Sequence, residues 1–313
     1  MSTMDTSLFN WEHKYRPGCI KDIILPQDYK NFFNKIVASG ASTNLLLASL
    51  TPGTGKTTVA LAIAAELGAE WQLINASDER GIDTIREKIV GFASTSAFND
   101  KVKLFILDEA DALTPDAQDC LRNYIDKYQD NCRFILTCNY VAKIIPALRE
   151  KGGRLMEFIF DMNKAEYKDE VHAQIVKRMS GILKHEGIPF EAEAIDHIVN
   201  KNFPSVRSIV TQLQKISMMR NEITYDYVKD VEIGDELTNL ILGKHLTDAR
   251  KFISERCLDY TTVFRYFMES TVPKLRNPGD AILNIGQYEY QCAMSSDPSI
   301  QIACCIVSLF SCI

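Results

Sequence analysis

The 313-residue sequence has no excess of positive charge and no Cys-x-x-Cys motif. Its formal net charge of -6 argues against a protein that coats nucleic acid. Any DNA contact must therefore come from a local basic surface, or from one that several subunits form together. Nine cysteines are scattered along the chain, and none forms a Cys-x-x-Cys pair. This pattern argues against a disulfide framework or a zinc site and predicts reduced thiols in a cytosol.

Long apolar runs are also missing. Residues 1–10 are polar and predict no signal peptide, and the apolar stretch Ile300–Ile313 is too short to span a bilayer. With 46% hydrophobic and 24% charged residues, the composition is that of an ordinary soluble globular protein, and the length suggests two or three domains. We expect a cytoplasmic location, or a nuclear one in a eukaryotic cell, and no membrane partner.

The stretch Thr51–Thr58 is the strongest chemical signal, because it joins a predicted strand to a predicted helix. Asn44–Ala48 is typical of a buried strand, and Thr58–Leu67 predicts a helix that stops at Gly68. Glycines let successive N–H groups of such a loop point at a triphosphate, and the helix N-terminus adds partial positive charge. The predicted nucleotide contacts are Pro52, Gly53, Thr54, Gly55, Lys56, Thr57 and Thr58, with Lys56 on the β- and γ-phosphates and Thr57 as a magnesium ligand.

One position departs from the usual phosphate-loop pattern. Leu50 stands where the pattern has its first glycine. Leucine does not readily adopt a positive φ, so we expect the loop to leave the strand by a different path, with Gly53 and Gly55 still beside the phosphates. The alternative is an ordinary glycine-rich turn.

Two acidic residues follow the predicted strand Val102–Leu107. At the carboxyl end of a buried strand beside a phosphate loop, Asp108 would hold magnesium. Glu109 would orient and deprotonate the water that attacks the γ-phosphate. Two carboxylates after a strand more often belong to a turn, so the catalytic interpretation depends on the loop upstream.

Polar residues also accompany a fourth predicted strand, Arg133–Thr137. Asn139, just after it, would hydrogen-bond a γ-phosphate oxygen and the attacking water; alternatively it only caps the following turn. Before this strand, Thr114 is the predicted N-cap of a helix. Gln118 and Arg122 lie four residues apart on that helix and therefore share a face.

Hydrophobic patterning predicts an α/β domain followed by helices. Trp71–Asn75 and Met156–Phe160 bring the candidate strands to five, and no strand signal follows Asp235. We expect an α/β phosphate-loop domain at residues 1–161, a small helical domain at 162–233 and a second helical domain at 234–313.

Capping and breaking signals give the helix boundaries. Ser77 is a candidate N-cap for a helix that carries Arg80, Arg86 and Lys88, whose charged face is equally well explained by solvation. Asn163–Glu166 has capping-box spacing. The other predicted boundaries are a helix end before Gly187, helices near Glu191–Asn200 and after Pro204, and breaks at Gly243, Pro273, Gly286 and Pro298.

The last predicted helix, Ser299–Phe310, has apolar side chains on more than one face. Such a helix must be covered all round. It is either the centre of its own bundle or an interface with another subunit, and the sequence favours neither.

Four short motifs follow one another along the chain. Residues 11–17 read Trp-x-x-Lys-Tyr-Arg-Pro, and Asn75–Asp83 reads Asn-Ala-Ser-Asp-Glu-Arg-Gly-Ile-Asp. Asp-Glu-Ala-Asp begins at Asp108, and Thr-Cys-Asn ends at Asn139. Taken in order with the phosphate loop, these motifs resemble those of the AAA+ clamp-loader ATPases, which include the small subunits of replication factor C and the large subunits of T-even-type phage clamp loaders. The resemblance implies an AAA+ ATPase domain, a helical lid domain and an all-helical collar domain.

The resemblance also implies roles for individual residues. Tyr15, Arg16 and Pro17 match the segment that borders the adenine. Asn139 matches the first sensor, and Arg207 looks like the second-sensor arginine, which reaches from the lid to the nucleotide. Arg80 and Arg86 fall in the helix that faces primer–template DNA. Gln118 and Arg122 resemble the helix that relays DNA contact to the catalytic glutamate.

One family motif is altered. The Ser-Arg-Cys whose arginine enters the neighbouring subunit's active site is replaced in the segment 147–155. Counting back from the following strand places Arg154 at the arginine position, and counting forward from Pro146 places Lys151 there; Arg149 lies close by. We favour Arg154, because a planar guanidinium suits the charge that develops on a transferring phosphoryl group.

The function that the resemblance implies is an ATP- and Mg²⁺-dependent subunit of a sliding-clamp loader. Its expected partners are the clamp, primer–template DNA and other loader subunits in a hetero-oligomer, expected to be a pentamer. Binding of ATP would open the clamp, and hydrolysis would release it on DNA. The alternatives are an AAA+ helicase loader or branch-migration motor, and a nucleotide-binding scaffold subunit that does not hydrolyse ATP.

Overall fold

The computed structural model describes residues 10–40, 43–78, 82–95, 101–149, 154–229, 233–256 and 258–313. The chain forms two compact units, the first ending at Tyr225 and the second beginning at Asp226. The domain boundaries predicted near residues 161 and 233 stay predictions.

A parallel sheet organises the first unit. Within the described residues it has five strands in the order β2-β3-β4-β1-β5. The strands are β1 (Leu45–Ala48), β2 (Glu70–Asn75), β3 (Lys103–Asp108), β4 (Arg133–Cys138) and β5 (Met156–Ile159). The three central strands are almost entirely buried, as parallel strands covered on both faces must be. Their carboxyl ends meet at one edge, where the predicted phosphate loop and acidic residues follow.

Where the structure describes the first part of the chain, five α-helices accompany the sheet. They are α1 (Trp11–Lys14), α2 (Gln27–Ala38), α3 (Lys56–Glu66), α4 (Ile82–Ala93) and α5 (Pro115–Lys127). Thr114 is the N-cap of α5, as predicted: its side chain accepts a hydrogen bond from the Ala117 N–H at 3.3 Å. Leu107 on β3 and Leu121 on α5 belong to one buried core. This packing fixes α5 against the sheet.

In the described residues, three further α-helices belong to the first unit, and a fourth begins at its last residue, Tyr225. They are α6 (Ala165–Glu186), α7 (Ala192–Asn202), α8 (Val206–Arg220) and α9 (Tyr225–Lys229). The predicted end of α6 is confirmed, because Gly187 is its C-cap with a left-handed φ of 70°. Ser205 caps the start of α8 by accepting from the Ser208 N–H, so Arg207 lies in the first turn of that helix.

The described residues of the second unit form helices joined by loops and contain no strand. A π-helix (Phe267–Thr271) and a 3-10 helix (Val272–Lys274) accompany its α-helices. Its α-helices are α10 (Ile233–Leu242), α11 (Leu246–Glu255), α12 (Tyr260–Tyr266), α13 (Pro278–Met294) and α14 (Pro298–Leu309). On α14, Ile302 and Ile306 are buried in the core, whereas Ile300 and Val307 are 57% and 50% exposed. One face of α14 therefore packs in the core of its own bundle. An interface with another subunit on the other face stays a prediction.

Several predicted helix boundaries were wrong. Helix α4 begins at Ile82, so Ser77 is not its N-cap; the Ser77 N–H instead donates to Asn75 Oδ1 at 2.9 Å, in a turn after β2. The N-cap of α6 is Lys164, one residue beyond Asn163, and it makes no side-chain capping bond. Gly286 lies inside α13, where the packing of neighbouring buried residues outweighs its low helix propensity of about 1 kcal/mol relative to alanine.

Candidate active site

The phosphate loop leaves β1 and enters α3 through two glycines with positive φ. Gly53 has φ 78° and Gly55 has φ 95°, and Gly55 is the N-cap of α3, which therefore begins at Lys56, two residues earlier than predicted. Leu50 is 80% exposed and is not among the described residues with positive φ. The leucine that replaces the usual first glycine of the loop thus lies in solvent and does not strain the backbone.

Lys56 reaches across the sheet edge to the end of β4. Its Nζ donates to Asn139 Oδ1 at 2.8 Å. The side chain is almost completely buried, and burial lowers the pKa of Lys56. Lys56, predicted to bind phosphate, is therefore in direct contact with Asn139, predicted to be the first sensor.

A second bond joins the loop to β3. Thr57 Oγ1 donates to Asp108 Oδ1 at 2.8 Å, and the Thr137 hydroxyl also donates to that oxygen. A hydroxyl beside a carboxylate is a ligand pair that suits Mg²⁺. The two predicted metal ligands thus lie together, and Thr137 is a neighbour that the sequence interpretation missed.

Glu109 has an unusual backbone conformation at the tip of β3. Its φ of 55° lies in the left-handed region, and its N–H donates to Thr137 Oγ1 at 3.1 Å. A non-glycine residue in this region is held there by its surroundings and often marks a functional position. Its exposed side chain lines the same cavity as Lys56 and Asp108.

Asp111 fixes the segment that carries Asn139. Its Oδ2 accepts from the Asn139 N–H at 3.3 Å and from the Tyr140 N–H at 3.0 Å. The last residue of the Asp-Glu-Ala-Asp motif therefore orients the end of β4.

The N-terminal segment forms another wall of this cavity, which Tyr15, Arg16 and Pro17 all line. The Tyr15 hydroxyl donates to the Glu186 carboxylate and lies 2.7 Å from His185 Nδ1. Burial raises the pKa of Tyr15. Helix α6 contributes a further bond, because Arg178 Nη2 donates to the Tyr15 carbonyl at 3.0 Å.

An apolar wall completes the cavity, and the sequence interpretation did not identify it. Its residues are Ile23, Ile24, Met179, Ile182 and Val210. Met179 and Ile182 lie three residues apart on α6, a spacing that the sequence shows but that is equally typical of a core helix. Apolar side chains with a few polar groups are the usual lining of a ligand pocket.

Arg207 enters the cavity from α8. Its Nε donates to Glu12 Oε1 at 2.7 Å, a contact that joins the start of α8 to α1. A Cβ atom at Gly53 would lie only 2.9 Å from Arg207 Cβ and 2.5 Å from Ser205 Oγ. Glycine is therefore required at position 53 for the loop to approach α8.

The candidate trans finger lies outside this cavity. Arg154 makes a bidentate contact with Asp126 on α5, with Nε donating to Oδ1 at 2.9 Å and Nη2 donating to Oδ2 at 2.8 Å. Arg149 makes a similar pair with Glu157 on β5, at 2.7 and 3.2 Å. Lys151 lies outside the described residues, so the choice among the three stays a prediction.

The candidate DNA-contacting residues are described only in part, because Arg80 lies outside the described residues. Arg86 is exposed on α4, and a hydrogen bond with the Cys120 side chain on α5 raises its pKa. Binding of DNA by these residues stays a prediction.

The predicted relay helix is connected to the segment after β4. Gln118 is buried and donates to the carbonyls of Leu113 and Lys143, and its Oε1 accepts from the Ile145 N–H at 2.8 Å. Arg122 is more exposed and lies 3.8 Å from Asp119 on its own helix. Gln118 thus couples α5 to the segment that begins at Asn139.

Comparison with known proteins agrees with this geometry. Residues 46–162 match the family described as ATPase family associated with various cellular activities (AAA). Residues 168–222 match the sliding-clamp-loader large subunit, AAA+ ATPase lid domain. The solved structure of the Thermotoga maritima RuvB Holliday junction branch migration motor has a TM-score of 0.54 over 82% of this chain and 91% of its own, but at 16% identity it shows the fold alone. In the described part of the chain, no helix has the length and apolar character needed to cross a membrane.

Relatives with curated names match over most of their length. The replication factor C small subunit of Methanococcus maripaludis strain S2 is 32% identical over 96% of this chain and 98% of its own. Human replication factor C subunit 5 is 37% identical over 78% of this chain and 73% of its own. The chain therefore belongs to the replication factor C small-subunit family of AAA ATPases.

Proposed function

We propose that this chain is an ATP-driven subunit of a sliding-clamp loader, which opens the clamp, places it on primer–template DNA and hydrolyses ATP to release it. One observation carries the chemical part of the proposal: Lys56, Thr57, Asp108, Asn139 and Arg207 line a single cavity at the carboxyl edge of the sheet. The names of its relatives, and of the lid family matched by residues 168–222, support the biological part.

The residues fit a magnesium-bound adenosine triphosphate. Gly53 and Gly55 free the backbone N–H groups of the loop to face phosphate, and Lys56 supplies the charge that such a ligand needs. Thr57 and Asp108 would hold Mg²⁺. When bound, this ion would neutralise the charge that develops on the phosphate groups.

The remaining side chains position the reactants. Glu109 would accept a proton from the attacking water, and Asn139, fixed by Asp111, would orient that water. Tyr15 and the apolar wall would enclose the adenine. Chemically these roles are positioning and charge stabilisation. The free energy of hydrolysis would drive a change of shape.

The partners that we propose are the clamp, primer–template DNA and further loader subunits in a hetero-oligomer. The decisive experiment measures ATP turnover by the full chain with candidate partner subunits, with and without clamp and primed DNA. We expect stimulation when clamp and DNA are both present. Turnover that the clamp does not affect would favour a helicase loader or branch-migration motor, and ATP binding without turnover would favour a scaffold subunit.

A further inference from the structure

We propose that Glu12 is a positioning residue that competes with the bound nucleotide for Arg207 and thereby sets the affinity of the site for ATP. This inference rests on the proposed function, because it requires a nucleotide phosphate within reach of Arg207. No motif in the sequence pointed to Glu12, which is 195 residues away from its partner along the chain.

The contact is close and involves more than one arginine. Arg207 Nε donates to Glu12 Oε1 at 2.7 Å, and Arg16 Nη2 lies 3.8 Å from the same oxygen. The Glu12 side chain is 25% exposed and that of Arg207 is 54% exposed, so solvent only partly screens the pair. Both side chains line the cavity that holds Lys56 and Asp108.

The position of Glu12 is fixed by hydrogen bonds of its own backbone and of the adjacent residue. The N–H of the adjacent residue, Trp11, donates at 3.1 Å to the side-chain oxygen of Gln214, which lies on α8, the helix that carries Arg207. Trp11 is buried, and the Glu12 N–H donates to Asn10 Oδ1 at 2.9 Å. The carboxylate is therefore held against the start of α8.

Charge explains why a carboxylate belongs here. The guanidinium groups of Arg207 and Arg16 both face Glu12 Oε1, at 2.7 and 3.8 Å, and Lys56 lines the same cavity. Glu12 offsets part of this charge. A guanidinium binds carboxylate and phosphate through the same planar set of donors, so the two anions compete for Arg207. Because such coupling is reciprocal, a nucleotide bound to Arg207 weakens the ion pair between Arg207 and Glu12.

The test is a Glu12→Gln substitution in the full chain. Glutamine keeps the length of the side chain and an oxygen acceptor, but removes the charge that competes with phosphate. We expect ATP to bind about two- to fivefold more tightly, the range for a partly exposed ion pair. Asp22→Asn is the matched control, because Asp22 lines the same cavity and its carboxylate accepts from the Cys19 thiol.

A double-mutant cycle separates competition from a structural effect. In an Arg207→Ala background, Glu12→Gln should leave ATP affinity unchanged, because the group for which the two anions compete is gone. The inference is overturned if Glu12→Gln matches the wild type, if Asp22→Asn tightens binding equally, or if the gain persists without Arg207. Melting curves confirm folding, and Glu12→Ala, with the same expected direction, replaces the glutamine variant if that variant does not fold.

The outcome also separates this inference from the proposed function. If the wild-type chain fails to bind ATP, both are wrong. If it binds ATP and Glu12→Gln changes nothing, the proposed function stands and the role of Glu12 is rejected.

Discussion

Lys56 Nζ donates to Asn139 Oδ1 at 2.8 Å, and this bond connects the phosphate loop after β1 with the end of β4. The two residues are 83 positions apart, yet parallel strands bring them to the same sheet edge. The partner of Lys56 in this bond is a neutral amide and not a carboxylate. The bond therefore leaves the positive charge of Lys56 available to a phosphate group that enters the cavity.

Replacing Lys56 with methionine should weaken ATP binding about 10- to 100-fold, the cost of losing hydrogen bonds to a charged group. Burial lowers the pKa of Lys56 in the folded chain. The unfolded chain therefore holds this proton more tightly, so a charged Lys56 destabilises the folded state at pH values below its ordinary pKa. We therefore expect the melting temperature at pH 7 to stay equal or rise. Calorimetric titration and thermal melting measure both effects. Lys35→Met on the exposed side of α2 is the control, and undiminished ATP affinity in Lys56→Met would refute the assignment.

Glu109→Gln should separate binding from hydrolysis. Loss of a general base lowers kcat by about 100-fold or more, whereas ATP affinity should change less than threefold. Turnover assays and equilibrium binding measure the two quantities. Asp116→Asn, an exposed acid in the first turn of α5, should leave both unchanged. A Glu109→Gln variant with wild-type kcat would show that another group activates the water.

Two glycine substitutions provide a matched pair. Gly53→Ala places a Cβ at a φ of 78° and within 2.5 Å of Ser205 Oγ, so we expect ATP affinity to fall at least tenfold. Gly91→Ala on α4 meets no atom within 4 Å and should raise the free energy of unfolding by up to about 1 kcal/mol. Binding assays and denaturant titrations measure these changes. Wild-type affinity in Gly53→Ala would mean that the loop does not need its approach to α8.

Arg154→Ala tests the trans finger. In the assembled complex we expect DNA-stimulated hydrolysis to fall about 1000-fold while ATP binding stays nearly intact. The bidentate contact with Asp126 would have to open for Arg154 to reach a neighbouring subunit. Arg149→Ala is the comparison variant, and it loses the pair with Glu157 instead. Full stimulation in Arg154→Ala would place the finger elsewhere.

Three buried thiols should resist modification. Burial raises the pKa of Cys132, Cys138 and Cys305 from 9.0 to about 12. The fold favours the neutral thiols, so their contribution to the free energy of unfolding is fully present below pH 9. It is lost as the pH rises toward 12. At pH 8, iodoacetamide should alkylate exposed Cys304 and spare these three until the chain unfolds. Mass spectrometry of labelled peptides distinguishes them, and rapid labelling of Cys138 in folded protein would contradict its burial.

Local patterns predicted most of the first unit. The strand predicted at Asn44–Ala48 is β1, shorter by one residue, and no described residue after Asp235 forms a strand. The start of α3 was misplaced because Gly55 serves as its N-cap in a left-handed conformation that the sequence leaves open. Thr137, Arg178 and Met179 were missed because hydroxyl, basic and apolar side chains at such positions have many structural uses.

The sequence by itself determined the chemistry of the sheet edge. Each short motif follows its own strand, and parallel strands bring their carboxyl ends to one edge of the sheet. Lys56, Thr57, Asp108 and Asn139 therefore meet at that edge, and local sequence patterns are enough to predict it. Tertiary structure alone decided the partners that come from distant segments, such as Glu12 for Arg207 and Arg178 for Tyr15. These pairs depend on how the packing of α6 and α8 orients long side chains toward α1, and the identity of a residue does not specify that orientation.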